Sequence, residues 1–269
     1  MLAAAFLCSN ILAQAIAPAP PQGFKLATDV DVLRSGPGDI DDVDYVVTLV
    51  KDKVRVETRE EFATRERTEW NSTPKAKPMH SISLGNATGL WNPGIGAKVA
   101  DGWIHGWDAG EFGGGLYWFS TDGSRYKKID SRNTQFIALT SKGVFAFQAL
   151  NHLMFSYSRF VKVEKANGSW TENLVSDMHD CPSAVLFAEK RFLHVGPNYI
   201  STMELDGTQR SVFRWMRGLT PGGFVRRKNG EIWMGNSRSI LCLVPEEGGQ
   251  YKHFWFRPTK PAKQALPSH

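Results

Sequence analysis

Aromatic and acidic side chains crowd into the segment 102–115, where two tryptophans and a histidine occupy alternate positions. In a β-strand, Trp103, His105 and Trp107 would share one face. Indole and imidazole rings on one face can stack against a flat group such as a sugar ring. Asp108 and Glu111 follow in a glycine-rich loop, where a ligand can approach the backbone closely. These five residues are the candidate ligand-binding residues, the alternative being that the rings pack between two sheets.

Paired carboxylates hydrolyse glycosidic bonds, and five acidic residues lie near predicted strand ends or turns: Asp101, Asp108, Glu111, Asp180 and Glu231. Several of them occupy turn positions, where acidic residues are common for local hydrogen-bonding reasons. The sequence motifs of zinc proteases, serine hydrolases, redox dithiols and phosphate-binding loops are absent. The sequence therefore assigns no catalytic residue and no cofactor, and it favours a protein without enzymatic activity.

A run of aspartates, Asp39, Asp41, Asp42 and Asp44, offers oxygen ligands of the kind that Ca²⁺ prefers. The run lacks the central glycine and the distal glutamate of the EF-hand loop. We expect a solvated acidic loop ahead of a strand, and the sequence leaves metal binding undecided.

Residues 1–15 have the features of a signal peptide, although no Lys or Arg precedes the apolar run. The run ends in Ala13-Gln14-Ala15, the small-x-small pattern that signal peptidase cleaves. We expect a Pro-rich linker at 16–23, a folded domain at 24–257 and a flexible tail at 258–269. The leader predicts a periplasmic or secreted protein. The run is too short to span a bilayer, and no transmembrane segment is expected.

Two cysteines follow the leader, Cys181 and Cys242. In an oxidising compartment they could form one disulfide. Because spacing alone does not show that they meet, two unpaired buried thiols are an equal alternative.

The positive charge is concentrated in the last third of the chain. Residues 188–269 contain 13 Lys+Arg and 6 Asp+Glu, whereas the whole chain has a net charge of +5. A single positive face there could bind an anionic partner, the alternative being a solvated surface. No nucleic acid is expected for an exported protein. The basic residues in question are Arg210, Arg214, Arg217, Arg226, Arg227 and Lys228.

The sequence repeats itself at an offset of 40 residues between 184–215 and 223–256. Each copy divides into four short segments, with Asp-Gly or Asn-Gly at turns, and these dipeptides favour hairpins because both central residues need a positive φ. The aligned apolar pairs include Val185 with Val225, Phe192 with Ile232, Leu193 with Trp233, Ile200 with Ile240, Met203 with Leu243, and Trp215 with Trp255.

Two earlier segments, 99–129 and 136–174, follow the same plan, and 45–58 supplies a fifth, shorter one. Four antiparallel strands in about 40 residues are the arithmetic of a propeller blade. We therefore predict an all-β fold, a small β-propeller of about five four-stranded antiparallel blades. The segment 24–33 is expected to pair with the last blade, because an open ring would leave a sheet edge exposed. The charged segment 59–69 is compatible with a short helix containing a Glu61–Arg65 pair.

The segments Gly230–Gly235 and Ser239–Leu243 resemble the repeat of bacterial propellers of the two-component-regulator sensor type. That repeat has a Gly-x-ϕ-Trp-ϕ-Gly strand followed by a Leu-rich strand, and Gly113–Tyr117 is similar to its second part. The resemblance covers 99–256 and implies the fold alone, since many functions share it.

The leading functional hypothesis is an exported, non-catalytic binding module for a glycan, an envelope component or a protein. The first alternative is a glycoside hydrolase or lyase with carboxylates at the propeller centre. The second is a structural subunit of a cell-envelope assembly, which an exposed apolar patch would favour.

Overall fold

The computed structural model describes residues 17–28, 43–72, 95–152, 155–188, 190–214 and 221–259, and within them the protein is mostly β-sheet. The predicted signal peptide and most of the predicted tail lie outside these residues. The strands are β1 (Phe24–Ala27), β2 (Tyr45–Val50), β3 (Lys53–Thr58), β4 (Ile95–Val99), β5 (Gly102–Asp108), β6 (Gly114–Ser120), β7 (Tyr126–Asp130), β8 (Thr134–Thr140), β9 (Gly143–His152), β10 (Phe155–Ala166), β11 (Ser169–Asp177), β12 (Ala184–Ala188), β13 (Arg191–Val195), β14 (Tyr199–Glu204), β15 (Gln209–Arg214), β16 (Phe224–Arg226), β17 (Ile232–Asn236), β18 (Ser239–Pro245) and β19 (Tyr251–Pro258).

These strands form five antiparallel sheets, which we number in chain order. Sheet 1 contains β2 and β3, sheet 2 contains β4–β7, sheet 3 contains β8–β11, and sheet 4 contains β12–β15. Sheet 5 contains β16–β19 and also β1, which pairs antiparallel with β19. The four-stranded antiparallel units predicted from the repeat are therefore confirmed for sheets 2, 3 and 4. Sheet 5 carries a fifth strand, and sheet 1 has two among the described residues.

The sheets pack face to face through four hydrophobic clusters, because each sheet has apolar residues that it must bury against a neighbour. The clusters join sheet 2 to sheet 3, sheet 3 to sheet 4, sheet 4 to sheet 5, and sheet 5 to sheet 1. Representative buried residues, in that order, are Ile104 with Val161, Phe147 with Phe192, Leu193 with Met234, and Trp233 with Tyr45.

The contact between sheets 5 and 1 depends on a glycine. A Cβ atom at Gly235 would lie 2.0 Å from the Tyr45 carbonyl oxygen and 2.5 Å from that of Gly222. The backbone of β17 can therefore approach β2 closely because position 235 has no side chain. Elsewhere in sheet 5, the Thr259 amide donates to the Gly23 carbonyl over 2.8 Å and fixes the start of β1 beside the end of β19.

The helix α1 (Arg59–Ser72) follows β3 and is longer than the 59–69 segment that the sequence indicated. A capping box begins it, since the Glu61 carboxylate accepts from the Thr58 amide (2.8 Å) and the Thr58 hydroxyl accepts from the Glu61 amide (3.2 Å). The Arg65 guanidinium binds Glu57 on β3 (Nε–Oε1 2.9 Å), which holds the helix against sheet 1. No helix among the described residues is both long and apolar enough to cross a membrane.

Candidate functional site

The predicted aromatic residues of β5 lie on one face of sheet 2. In the register of β5 with β6, Trp103 is opposite Phe119, His105 opposite Tyr117, and Trp107 opposite Gly115. All three predicted side chains are half-buried, while Gly102, Ile104 and Gly106 between them are buried. The alternation follows from the two-residue period of a strand. The apolar side of that alternation faces sheet 3.

The rings on this face contact one another across three strands. His105 meets Phe119 edge-on with centroids 6.1 Å apart, Tyr117 stacks on Phe119 at 6.1 Å, and Phe119 lies 5.9 Å from Tyr126 of β7. A Cβ at Gly115 would be 2.4 Å from the Tyr117 ring, so the glycine makes room for that ring beside Trp107. We define the aromatic face as Trp103, His105, Trp107, Tyr117, Phe119 and Tyr126.

His105 is the titratable group at the centre of the aromatic face. Burial among the neighbouring rings lowers the pKa of His105 below its usual value of 6.5. The imidazole is therefore neutral at neutral pH and can offer one nitrogen as donor and the other as acceptor. Such a ring suits hydroxyl groups better than it suits an anion.

The loop after β5 is held against sheet 3. The Asp108 carboxylate accepts from the Gly110 amide over 2.9 Å, and the Asn133 side-chain amide donates to the Gly110 carbonyl over 2.7 Å. Phe112, in the same loop, is 82% exposed, and Glu111 beside it is also exposed. Asp108 and Glu111 therefore lie in one loop at the end of the strand that carries the aromatic face.

The other acidic candidates are engaged elsewhere. Asp101 accepts from the Lys165 ammonium (2.7 Å) and the Trp170 indole (3.2 Å), and the hydrogen bond from Lys165 lowers its pKa. Asp101 and Asp108 lie at opposite ends of β5, roughly 20 Å apart at the usual rise per residue. Two carboxylates at that distance cannot act together on one glycosidic bond.

Asp180 and Glu231 belong to other parts of the molecule. The Asp180 carboxylate accepts from the backbone amides of Asn198 (2.8 Å) and Cys181 (3.1 Å) between sheets 3 and 4. The buried Glu231 of sheet 5 accepts from Arg227 (2.8 Å) and from the Trp233 indole (2.9 Å). The five acidic candidates thus do not gather in one place, and only Asp108 and Glu111 share a loop.

Cys181 and Cys242 are free thiols in the structure, with Cys242 buried and Cys181 partly buried. Cys181 lies between β11 and β12, with its sulfur 3.4 Å from the Tyr157 carbonyl. Cys242 is buried on β18 in the cluster with Trp233 and Phe256. Desolvation raises the pKa of both thiols.

The basic residues of the last third that the structure describes are divided between sheets 4 and 5, and their binding of an anionic partner stays a prediction. Arg227 binds Glu231 and the Asp52 carbonyl (3.0 Å) in sheets 5 and 1, so its charge is partly neutralised. Arg214 lies on β15 of sheet 4, with its guanidinium 5.4 Å from the Tyr199 ring centroid. Arg217 is outside the described residues.

Only one residue of the aspartate run lies within the described residues. Asp39, Asp41 and Asp42 lie outside the described residues, and Asp44 forms an ion pair with Arg59 (3.1 Å). Among the residues that the structure describes, no group of His, Cys, Asp or Glu could hold a metal ion.

No sequence pattern indicated the lysines of sheets 2 and 3. Lys128 on β7 lies 5.8 Å above the Tyr117 ring, and Lys98 on β4 is directly opposite Trp103. A cavity of about 470 Å³ also opens between the two sheets beside the end of β4. Its lining combines lysines with apolar side chains and one carboxylate: Lys98, Lys142, Lys162, Lys165, Leu139, Val144, Val163, Trp170 and Glu164. Strand register brings these residues together, and no local pattern encodes it.

Comparison with known proteins gives little. No family model matches the chain, and no curated protein matches it. Among solved structures, the chain is similar to one described as "Streptogramin B lyase structure", with 13% identity and a TM-score of 0.34. The match covers 60% of this chain and spans only 57% of the length of that structure. A likeness at this level identifies neither a ligand nor an activity for the present protein.

Proposed function

We propose that the protein is an exported, non-catalytic binding module that holds a ring-shaped ligand, such as a sugar ring, on the aromatic face. The observation that carries this proposal is the alignment of six rings from three adjacent strands on one face of sheet 2, where Phe119 is 4% exposed and supports the neighbouring rings. Rings of this kind bind the flat apolar side of a ligand, and Trp103, His105 and Trp107 are only partly buried, which leaves area to be covered.

We further propose that the five sheets are the blades of a five-bladed propeller. The order of the four hydrophobic clusters, from sheet 2 through sheets 3, 4 and 5 to sheet 1, supports a ring, and the pairing of β1 with β19 ties the two ends of the chain together. Within the described residues, no such cluster joins sheet 1 to sheet 2. In such a ring the aromatic face, which is turned away from sheet 3, would lie between sheets 1 and 2, and a ligand would enter there.

The engagement of the acidic side chains favours binding over hydrolysis. A general acid needs a raised pKa, but Asp101 has a lowered one, and Glu231 is bound by Arg227 and Trp233. Asp108, which accepts from the Gly110 amide, and Glu111 lie in the loop that follows β5. The acidic side chains therefore favour a role in holding a ligand over a role as a pair of catalytic carboxylates on either side of a glycosidic bond.

A binding assay with a matched control tests the proposal. Trp107→Ala is expected to weaken binding of a sugar found in a glycan panel about fivefold, since stacking on an aromatic ring contributes on the order of 1 kcal/mol beyond area. Leu174→Ala, which removes an apolar side chain 49% exposed on sheet 3, is the control and is expected to leave binding unchanged. Titration calorimetry measures both. Equal affinity in the two variants, or turnover of a glycan by the wild type, would refute the proposal.

Export has a separate test. Expression of the full chain with cell fractionation should place the protein outside the cytoplasm, and mass spectrometry should show cleavage after Ala15. A cytoplasmic protein that retains its first 15 residues would remove the export proposal while leaving the binding proposal untouched.

A further inference from the structure

We infer that the ligand of the aromatic face is an acidic glycan chain of at least two sugar residues, an inference that rests on the proposed function. The sugar rings would lie on the aromatic side chains, and the carboxylate or sulfate groups would meet lysines at the two edges of sheet 2.

Two lysines place positive charge on this face. Lys98 is opposite Trp103 on β4, and Lys128 is opposite Tyr117 on β7, so cross-strand register puts both lysines on the same face as the rings. Both lysines are exposed. Neither forms an ion pair with another described residue; Lys128 lies over the Tyr117 ring, and Lys98 also borders the cavity between sheets 2 and 3.

Three acidic residues of sheet 2 and its turns are engaged with other groups, and Asp108, at the end of β5, accepts from the Gly110 amide of its own loop. Asp101 is bound by Lys165 and Trp170 of sheet 3, and Asp130 accepts from Gln148 of sheet 3 (3.3 Å). Asp122 is held by the hydroxyls of its own turn. Because the described strand positions on the aromatic face hold only Gly, aromatic, His and Lys residues, no carboxylate at those positions would repel an anion.

The spacing of the two lysines sets the size of the ligand. β4 and β7 are the outer strands of sheet 2, three inter-strand spacings apart, which amounts to about 14 Å. One sugar ring does not cover that width, but a short chain does. His105 lies between the lysines in its neutral form, where it can bond to hydroxyl groups.

The experiment compares the binding of two glycan probes that differ in charge, and two further polyanions serve as additional probes. The probes are an oligogalacturonide and its fully methyl-esterified form, with a sulfated oligosaccharide as a second acidic source and a single-stranded oligonucleotide as a non-glycan polyanion. The proteins are the wild type, Lys98→Gln, Lys128→Gln and the control Lys25→Gln, an exposed lysine on β1 of sheet 5. Calorimetry at low and high salt gives the affinities.

We expect an acidic glycan, uronate or sulfated, to bind at least tenfold more tightly than the ester. Each of Lys98→Gln and Lys128→Gln should weaken acidic binding about threefold and leave ester binding unchanged, as exposed charge pairs do. Added salt should reduce the difference between acid and ester, and Lys25→Gln should behave as the wild type.

Three results would overturn the inference. Ester and acid binding equally well would remove the acidic ligand and leave the proposed function standing. Tighter binding of the oligonucleotide, with the same dependence on the two lysines, would assign the face to another polyanion. Binding of neither glycan form would remove both the inference and the proposed function.

Discussion

Acidification should destabilise the protein through His194. This side chain lies on β13 with 1% of its surface exposed, and neither ring nitrogen has a hydrogen-bond partner among the described residues. Phe147 of sheet 3 packs against it with ring centroids 6.0 Å apart. Burial, helped by the nearby charge of His179, lowers the pKa of His194 from 6.5 to about 4. Protonation would place an unpaired charge in the contact between sheets 3 and 4.

The size of the effect follows from the two pKa values. Above pH 6.5 the imidazole is neutral in both folded and unfolded chains and contributes no pH dependence to stability. Between pH 6.5 and about 4 the unfolded chain binds a proton that the folded protein does not, so stability falls as the pH falls. A difference of about 2.5 pH units corresponds to about 3 kcal/mol at full protonation.

Urea unfolding measures this loss. The free energy of unfolding of the wild type should fall by about 3 kcal/mol between about pH 7 and pH 4 in excess of the fall in His194→Leu, which lacks the titrating group. The variant also removes the carboxylate contributions from the comparison, since both proteins share them. Parallel curves for the two proteins over this range would refute the argument that His194 is neutral and buried.

Three further predictions concern packing and thiols. Phe147→Ala should lower the free energy of unfolding by about 3–5 kcal/mol in urea, because its ring is fully buried, and a loss under about 1 kcal/mol would contradict the packing. Gly235→Ala should destabilise the protein by about 3 kcal/mol or more, because the added Cβ meets the Tyr45 carbonyl; an unchanged melting temperature would show that β17 and β2 do not approach so closely. Alkylation of the unfolded protein without reductant should modify both Cys181 and Cys242, and a disulfide-linked pair of peptides in the mass spectrum would contradict the free thiols. In the folded protein Cys181 should be alkylated before Cys242, because Cys242 is buried.

Much of the fold could be predicted because the repeat consists of local patterns, namely alternating apolar residues and turn dipeptides. The repeat predicts four strands within 184–215, and β12 to β15 lie there. Apolar residues in alternation, with a turn dipeptide between strands, are sufficient for such hairpins. The hairpin of β9 and β10 is longer than a short-strand repeat indicates, because the polar residues Asn151 and His152 resemble a loop in sequence yet continue the ladder.

The candidate site could be predicted only in part. The shared face of Trp103, His105 and Trp107 follows from period two within one strand. The neighbouring Tyr117 and Lys128 join them through register, which depends on the length of the loop and on the bulge between Leu116 and Tyr117. Hydrogen bonds between residues far apart in sequence could not be predicted for the same reason, as with the bond from the Arg227 guanidinium to the Asp52 carbonyl.

Sheet 2 differs from sheets 3, 4 and 5 in the burial of its second strand, which is β5 in sheet 2 and β9, β13 and β17 in the other three. In sheets 3, 4 and 5, the side of that strand that faces the preceding sheet is buried, as Ala146, Phe192 and Met234 show with 0% exposure each. The same side in sheet 2 carries the indoles of Trp103 and Trp107, which are only partly buried. Since a partly exposed tryptophan forgoes some of the burial energy that packing would provide, these two positions are not filled as the rest of the core is. Among the described residues no hydrophobic cluster includes these two side chains, and this supports the proposal that they contact a ligand.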